Sequence, residues 1–321
     1  MVSMAGEIWL LGGVTASGKT ELALSWAENN QAEILCCDSV SLYRGLDIGS
    51  AKPTQEELDR VPHFGLDLAE VSEVFDVVQF HAYARDVVRD IAQRGKKILV
   101  VGGSGFFLSG FLRAISDGIE VSQEVRQSID SQYQAEGLDS LLDDLKRFNP
   151  DGVQIDTRNP VRVIRALERC METGKSLSLL QSEFEKLPAP YAQFKKYALW
   201  LDREDAELID RIHSRAQKMV ECGLLAETEN ALGQGIENHP SLSVAVGYRE
   251  AIEHLKDPNH FSKIELIDSM TRSTRQLVSK QRKWFRKHFP AGSQHILKNT
   301  ISFTHENLPW VRALDRGAGS N

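Results

Sequence analysis

Residues 7–20 read EIWLLGGVTASGKT. A short apolar run, Glu7–Leu11, ends in Gly13-Val14-Thr15-Ala16-Ser17-Gly18-Lys19-Thr20, which fits GxxxxGK[ST]. A helical pattern, Glu21–Glu28, follows it. Strand, glycine-rich turn and helix, in that order, form the setting in which this motif cradles phosphate. The glycines let the backbone curl so that its N–H groups face an anion, and the helix N-terminus adds its dipole. Lys19 contributes a mobile positive charge, and Thr20 offers a hydroxyl to Mg²⁺. The motif implies a di- or triphosphate group without naming its carrier. A kinase, a nucleotide hydrolase and a pyrophosphate-releasing transferase are all compatible with it.

Three more runs, Glu33–Cys37, Lys97–Val101 and Tyr197–Leu201, are continuously apolar rather than alternating. That is expected of parallel strands covered on both faces. The first three runs end in the turns GGVTASGKT, DSVSLYRG and GGSG, and Val77–Gln93 reads as a helix. The alternation predicts an α/β fold: a P-loop NTPase-like parallel sheet flanked by helices. Ligands of such sheets sit at the carboxyl ends of the strands, so the three turns should line one crevice. From Val121 to Leu187 strand signals disappear and helical patterns replace them, at Glu124–Glu136, Leu138–Arg147 and Asn159–Thr173. This stretch is expected to be an inserted all-helical subdomain, placed at 121–197 within a catalytic core of 1–120 and 198–321. Beyond Asp202 the pattern is mostly helical to His288, and the last thirty residues are weakly patterned.

The 321 residues are 26% charged and 41% hydrophobic, which excludes a mainly disordered chain. No apolar run reaches the ~18 residues of a membrane helix. The N-terminus lacks the basic region of a signal peptide. Cys36, Cys37, Cys170 and Cys222 have neither zinc-site spacing nor the density of a disulfide framework. A cytoplasmic location without membrane association is the expectation. The formal charge of −7 does not advertise a nucleic-acid partner, but its distribution does. Arg158, Arg162, Arg165 and Arg169 would share one helix face. Thr271–His288 holds seven Lys/Arg and no acid, with Trp284 and Phe285 available for stacking. Such surfaces are usually solvated helix faces. Two of them in an acidic chain favour a polyanion, and RNA suits a basic surface with aromatics.

In the second turn, Asp38 stands at a strand's carboxyl end facing the phosphate loop. It could position Mg²⁺, accept a proton from a nucleophile, or merely cap the following turn. Ser39 could be only a capping hydroxyl. Arg44 and Lys52 add positive charge near the crevice, although each is more often a solvated surface residue. The third turn, Gly102-Gly103-Ser104-Gly105, offers N–H groups and a hydroxyl.

GVTASGKT, DSVSLYRGLDIGSAKPT, GGSGFFLSGFL, NPVRVIRALE, VGYRE and TRQLVSKQRKWFR occur in this order. Together they resemble the tRNA dimethylallyltransferases, or tRNA isopentenyltransferases, from about residue 7 to residue 288. The resemblance implies transfer of a dimethylallyl group from dimethylallyl diphosphate to the exocyclic amine of the adenosine 3′ of the anticodon. Lys19, Asp38 and Ser104 would be catalytic. Asp38 would take the amine proton, and Ser104, standing where the family usually has Thr, would bond near the same centre. Gly13, Val14, Thr15, Ala16, Ser17, Gly18, Lys19 and Thr20 would hold the diphosphate, with Arg215 as a second contact and Arg211 its competitor. Thr20 would help hold Mg²⁺.

Asp38, Ser39, Val40, Ser41, Ser104, Arg126, Val161, Arg162, Val163, Ile164, Arg165, Val244, Ala245, Val246, Gly247, Tyr248 and Arg249 match tRNA-contacting positions. The family is usually monomeric. The rival reading within this chemistry is an adenylate isopentenyltransferase acting on free AMP, ADP or ATP; outside it, a P-loop kinase or hydrolase, or a non-catalytic RNA-binding protein. Val14 departs from the family's usual Pro, which should alter loop stiffness more than its donors. No C-terminal Cys/His zinc module follows, which favours the bacterial type.

Overall fold

The computed structural model describes residues 6–297 and 308–313. The chain divides into two compact units. One contains residues up to Leu112 and again from Tyr191, and the other is Arg113–Pro190. These divisions fall at 112/113 and 190/191, not at the expected 120/121 and 197/198. The second expected boundary would cut a strand that begins at Lys195.

In the first unit the strands are β1 (Glu7–Gly13), β2 (Ala32–Cys36), β3 (His63–Phe64), β4 (Lys97–Gly102), β5 (Lys195–Arg203), β6 (Gln294–Leu297) and β7 (Val311–Ala313). Their order is β3-β2-β4-β1-β5-β6, all pairs parallel, and β7 pairs antiparallel with β5. Leu10 of β1 sits opposite Val100 of β4 and Ala198 of β5, and all three are fully buried. The helices of this unit before its interruption are α1 (Lys19–Asn30), α2 (Gln55–Arg60), α3 (Val77–Gln93) and α4 (Gly105–Ser109). Leu22, Ala23, Trp26 and Ala27 of α1 pack with Ile34 of β2 and Leu99 of β4. Asp76 and Gln79 close a capping box at the start of α3. Strands β2, β4 and β1 are neighbours, so their carboxyl ends bring the three turns side by side.

The second unit contains α5 (Gln123–Glu136), α6 (Leu138–Phe148), α7 (Pro160–Thr173) and α8 (Leu177–Glu185). They close on Ile129, Leu141, Leu145, Val163, Leu167 and Leu180, and this unit contains no strand among its described residues. Asn159 caps α7 by accepting from the Arg162 N–H, Pro160 occupies its first turn, and Gly174 ends it at φ 67°. Arg158 therefore lies before the helix. The four-arginine face reduces to three helical residues, and Arg169 is ion-paired to Asp117.

The first unit resumes with α9 (Asp205–Glu221), α10 (Leu224–Gly233), α11 (Tyr248–Lys256) and α12 (Lys263–His288). Phe285 of α12 is 1% exposed and stacks on Trp200 with centroids 5.3 Å apart. A Cβ on Gly105 would overlap the ring of Trp284. Both aromatics thus anchor α12 to the sheet and to α4; Phe285 is buried rather than offered for stacking.

Candidate active site

A cavity of about 1310 Å³ opens at the carboxyl ends of the strands in the first unit. The phosphate loop, Asp38–Ser41, Gly102–Ser104, α9, the 244–249 segment and α12 line it. The crevice expected from the three turns is therefore formed.

The loop's conformation is fixed by partners that are now identifiable. Ala16 (φ 64°) and Gly18 (φ 96°) take left-handed backbone. Arg203, at the end of β5, donates from Nε to Ser17 O at 2.8 Å, and Arg211 of α9 donates from Nε to Ala16 O at 2.8 Å. Lys19 Nζ folds back onto Gly13 O (3.0 Å) and Val14 O (2.8 Å). Val14 N–H donates to Leu201 O (3.1 Å), and Thr15 N–H donates to Gln281 Oε1 (2.9 Å). Those two amides, expected to serve the anion, are spent inside the protein. Gly18, Lys19 and Thr20 stand at the start of α1, where amides have no partner within the helix. Val14 brings an N–H that proline would lack, so the departure changes the donors as well as the stiffness.

Burial first, and then the Arg215 cation, push the Lys19 ammonium down to about 7 against the opposing pull of Asp38. Burial also lowers Arg215, again against Asp38. Of the two competing arginines, Arg211 is committed to a loop carbonyl. The side chain of Arg215, which also lines the cavity, makes no hydrogen bond or ion pair with another described residue.

Asp38 Oδ1 accepts from Val40 N–H (2.9 Å) and Ser41 N–H (3.3 Å). The capping role is real and occupies one oxygen only: Oδ1 is fixed by the turn, and Oδ2 has no partner among the described residues. Ser104 precedes α4 without a capping bond from its side chain, so its hydroxyl is uncommitted at the cavity wall. Ser17 and Ser41, 0% and 5% exposed, have unpartnered hydroxyls on the same wall. Burial, reinforced by Asp38, raises the Cys36 thiol to about 12, which keeps it protonated.

Gln281 was not singled out from the sequence. It accepts from Thr15 and donates from Nε2 to Gly103 O at 3.0 Å, joining the first turn to the third. It lies in the QRKWF stretch, where the surrounding charges drew the reading toward polyanion binding. Arg203 was missed too; its signal was a basic residue at a strand's carboxyl end. Lys52 reaches the wall, but its Nζ is held by Tyr43 O and by the carboxylates of Asp47 and Asp67. Arg44 is on the surface, paired with Glu70. Neither offers the cavity a free charge.

Ser39, Val244, Ala245, Val246, Gly247 and Arg249 line the cavity. Tyr248 does not: its ring is buried and its hydroxyl donates to Glu227 Oε1 at 2.6 Å. Arg126 and Val161–Arg165 belong to the second unit. There Val161 is 66% exposed, whereas the side chain of Val163 lies in the core and is withdrawn from any surface partner.

A family model described as IPP transferase matches residues 41–288. The chain is 43% identical over 282 residues to the tRNA dimethylallyltransferase of Opitutus terrae, covering 88% of this chain and 90% of that protein. It is 36% identical to tRNA dimethylallyltransferase 1 of Trichlorobacter lovleyi, covering 88% and 92%. The crystal structure of the tRNA isopentenylpyrophosphate transferase from Bacillus halodurans aligns with a TM-score of 0.63 at 31% identity, covering 91% of this chain and 89% of that one. A eukaryotic dimethylallyltransferase crystallised acting on tRNA shares the fold, with a TM-score of 0.77 at 23% identity. With its phosphate loop, cavity and sequence in agreement, the chain belongs to the IPP transferase family, in which these curated relatives are tRNA dimethylallyltransferases.

Proposed function

We propose that the chain transfers the dimethylallyl group of dimethylallyl diphosphate to the N6 amine of the adenosine 3′-adjacent to the anticodon in tRNA, releasing diphosphate. The observation that carries this reading is one cavity holding an anion cradle, an Asp38 oxygen without a protein partner and the Ser104 hydroxyl. The relatives named for tRNA favour it over transfer to free AMP, ADP or ATP.

In the reaction N6 bonds to the allylic C1 as the C1–O bond to diphosphate breaks, and the bonding pair leaves with the diphosphate. Asp38 Oδ2 accepts the N6 proton, with the carboxylate held by its bonds to Val40 and Ser41. The base must leave the stack to reach it. Lys19, Arg215 and the N–H groups of Gly18, Lys19 and Thr20 meet the charge that grows on the leaving group. Ser104 hydrogen-bonds beside the reacting centre.

No group of three or more His, Cys, Asp or Glu side chains suited to a metal occurs among the described residues. Thr20 and Asp38 both line the cavity. Mg²⁺ takes one or two protein oxygens and completes its shell with phosphate and water. That donor set fits an ion arriving with the diphosphate, where it would neutralise leaving-group charge. No helix among the described residues is long and apolar enough to cross a membrane. A monomer working in the cytoplasm completes the proposal.

Unmodified tRNA incubated with the protein, dimethylallyl diphosphate and Mg²⁺ is digested, and its nucleosides are weighed by mass spectrometry. Prenylated adenosine is expected. Unchanged tRNA beside prenylated AMP in a parallel reaction would refute the tRNA assignment.

A further inference from the structure

The DIGSAKPT stretch forms one wall of the cavity, yet no side chain in it has a free charge to offer a substrate. Its shape is held from outside by one residue. Glu227, in α10, accepts from three successive backbone N–H groups: Oε2 from Asp47 (2.8 Å) and Ile48 (2.7 Å), and Oε1 from Gly49 (2.9 Å). Oε1 also accepts from the Tyr248 hydroxyl at 2.6 Å. Successive amides of this kind form a nest that suits an anion, and here the anion is a side chain of the same protein. A Cβ on Gly49 would sit 2.7 Å from the Tyr248 hydroxyl, so the loop and the tyrosine are in direct contact. Tyr248 is the first residue of α11 and follows Val244–Gly247, which line the cavity as Gly49–Pro53 do. One carboxylate therefore clamps two wall segments, 47–53 and 244–249, to each other. Neither segment bonds to the phosphate loop.

We propose that Glu227 is a positioning residue for the acceptor: it fixes the two wall segments that receive the tRNA nucleotide and leaves the diphosphate cradle untouched. This rests on the tRNA reading given above. Glu227 touches no substrate itself and acts through backbone amides and Tyr248.

Glu227→Gln keeps the side chain's shape but turns one oxygen into an NH₂ that must face at least one backbone N–H, that of Gly49 in one orientation or those of Asp47 and Ile48 in the other. Tyr248→Phe keeps the ring packing and removes one bond. Steady-state kinetics on the full chain, with tRNA and dimethylallyl diphosphate varied in turn, reads the effect. Glu227→Gln should raise the KM for tRNA by about tenfold or more, the worth of a lost charge-assisted bond. Tyr248→Phe leaves the three amide bonds to Glu227 in place and should raise it by a smaller factor, about threefold. The KM for the diphosphate should stay within about twofold in both. Equal rises in the two KM values, or an unchanged tRNA KM, overturn the proposal. If Glu227→Gln fails to fold, Tyr248→Phe decides by the same criterion. A wild-type protein that leaves tRNA unmodified overturns the functional reading and the proposal with it. An active wild type beside unaffected variants overturns the proposal alone.

Discussion

Diphosphate binding should draw a proton from solution, and Lys19 is where it should go. With its ammonium pushed down to about 7 by burial and by Arg215, the free protein should carry that proton in roughly nine-tenths of molecules at pH 6 and one-tenth at pH 8. A diphosphate beside the ammonium stabilises the charged form. Uptake on binding should therefore rise from about 0.1 proton at pH 6 to about 0.9 at pH 8. Because the protonated form is the one that binds, donor affinity should fall roughly tenfold across this range, or about 1.4 kcal/mol. Titration calorimetry in two buffers of different ionisation heat measures the uptake directly. Lys19→Arg keeps the charge without a titration near neutrality, so it reports what the ligand itself contributes. Two further variants give the sign. Arg215→Gln removes a cation that lowers Lys19 and should move the rise in uptake to higher pH. Asp38→Asn removes the anion that raises Lys19 and should move it to lower pH. Equal uptake by wild type and Lys19→Arg at pH 8 would refute the reasoning.

Asp38→Asn should also slow transfer by ~10²–10⁴-fold while tRNA binding persists, as for loss of a general base; comparable single-turnover rates would remove Asp38 from proton transfer. Gln281→Leu leaves the Thr15 N–H and the Gly103 carbonyl without their partner, at about 1–3 kcal/mol. Diphosphate affinity should fall in calorimetry, and an affinity equal to wild type would show that the loop holds its shape without this tie. Val14→Pro deletes the N–H that meets Leu201 O at 3.1 Å. The urea midpoint should drop in proportion to about 1 kcal/mol, and an unchanged midpoint would show that this bond adds nothing to stability.

The parallel core was legible because its strands are continuous apolar runs ended by glycines and small polar residues; two of the four expected runs match their strands to within a residue at both ends, and the other two to within two residues. Strand β3 was not, because two residues, His63 and Phe64, carry no periodicity. The short β6 and β7 escaped for the same reason; β5 supplies the pairing that makes them strands. The placement of Lys19, Asp38 and Ser104 at the cavity was legible because each belongs to the turn that leads out of a strand. Gln281 and Glu227 were not. Their bonds span 266 and 178–180 residues of sequence to the first turn and to the 47–49 loop, and a neutral or acidic residue on an amphipathic helix has no local pattern to mark it. Tyr248 and Val163 misled in the opposite direction. Val163 has exposed neighbours and Tyr248 has cavity-lining ones, but in each case the side chain itself falls on the buried side of its helix.

The phosphate loop owes its readiness to a division of labour that sequence spacing does not show. Its outward carbonyls, Ala16 O and Ser17 O, are held by Arg211 and Arg203, two guanidiniums carried on α9 and at the end of β5. Its inner carbonyls, Gly13 O and Val14 O, are held by Lys19. If Lys19 turns to a diphosphate, as the proposed function requires, the inner pair loses a donor but the loop should keep its curl, because the arginines, Gln281 and the Val14–Leu201 bond do not depend on it. Next to Gln281 on α12, Arg282 binds both oxygens of Asp202 at 3.0 Å and Arg203 O at 2.9 Å, so the helix that steadies the loop is itself fixed to the sheet. Besides the unpartnered Ser17 hydroxyl, the loop leads into N–H donors at a helix N-terminus, already oriented before any ligand arrives. Stabilisation of a leaving diphosphate then requires no reorganisation of the backbone at the moment the charge develops, and the one moving part is a lysine poised near neutrality.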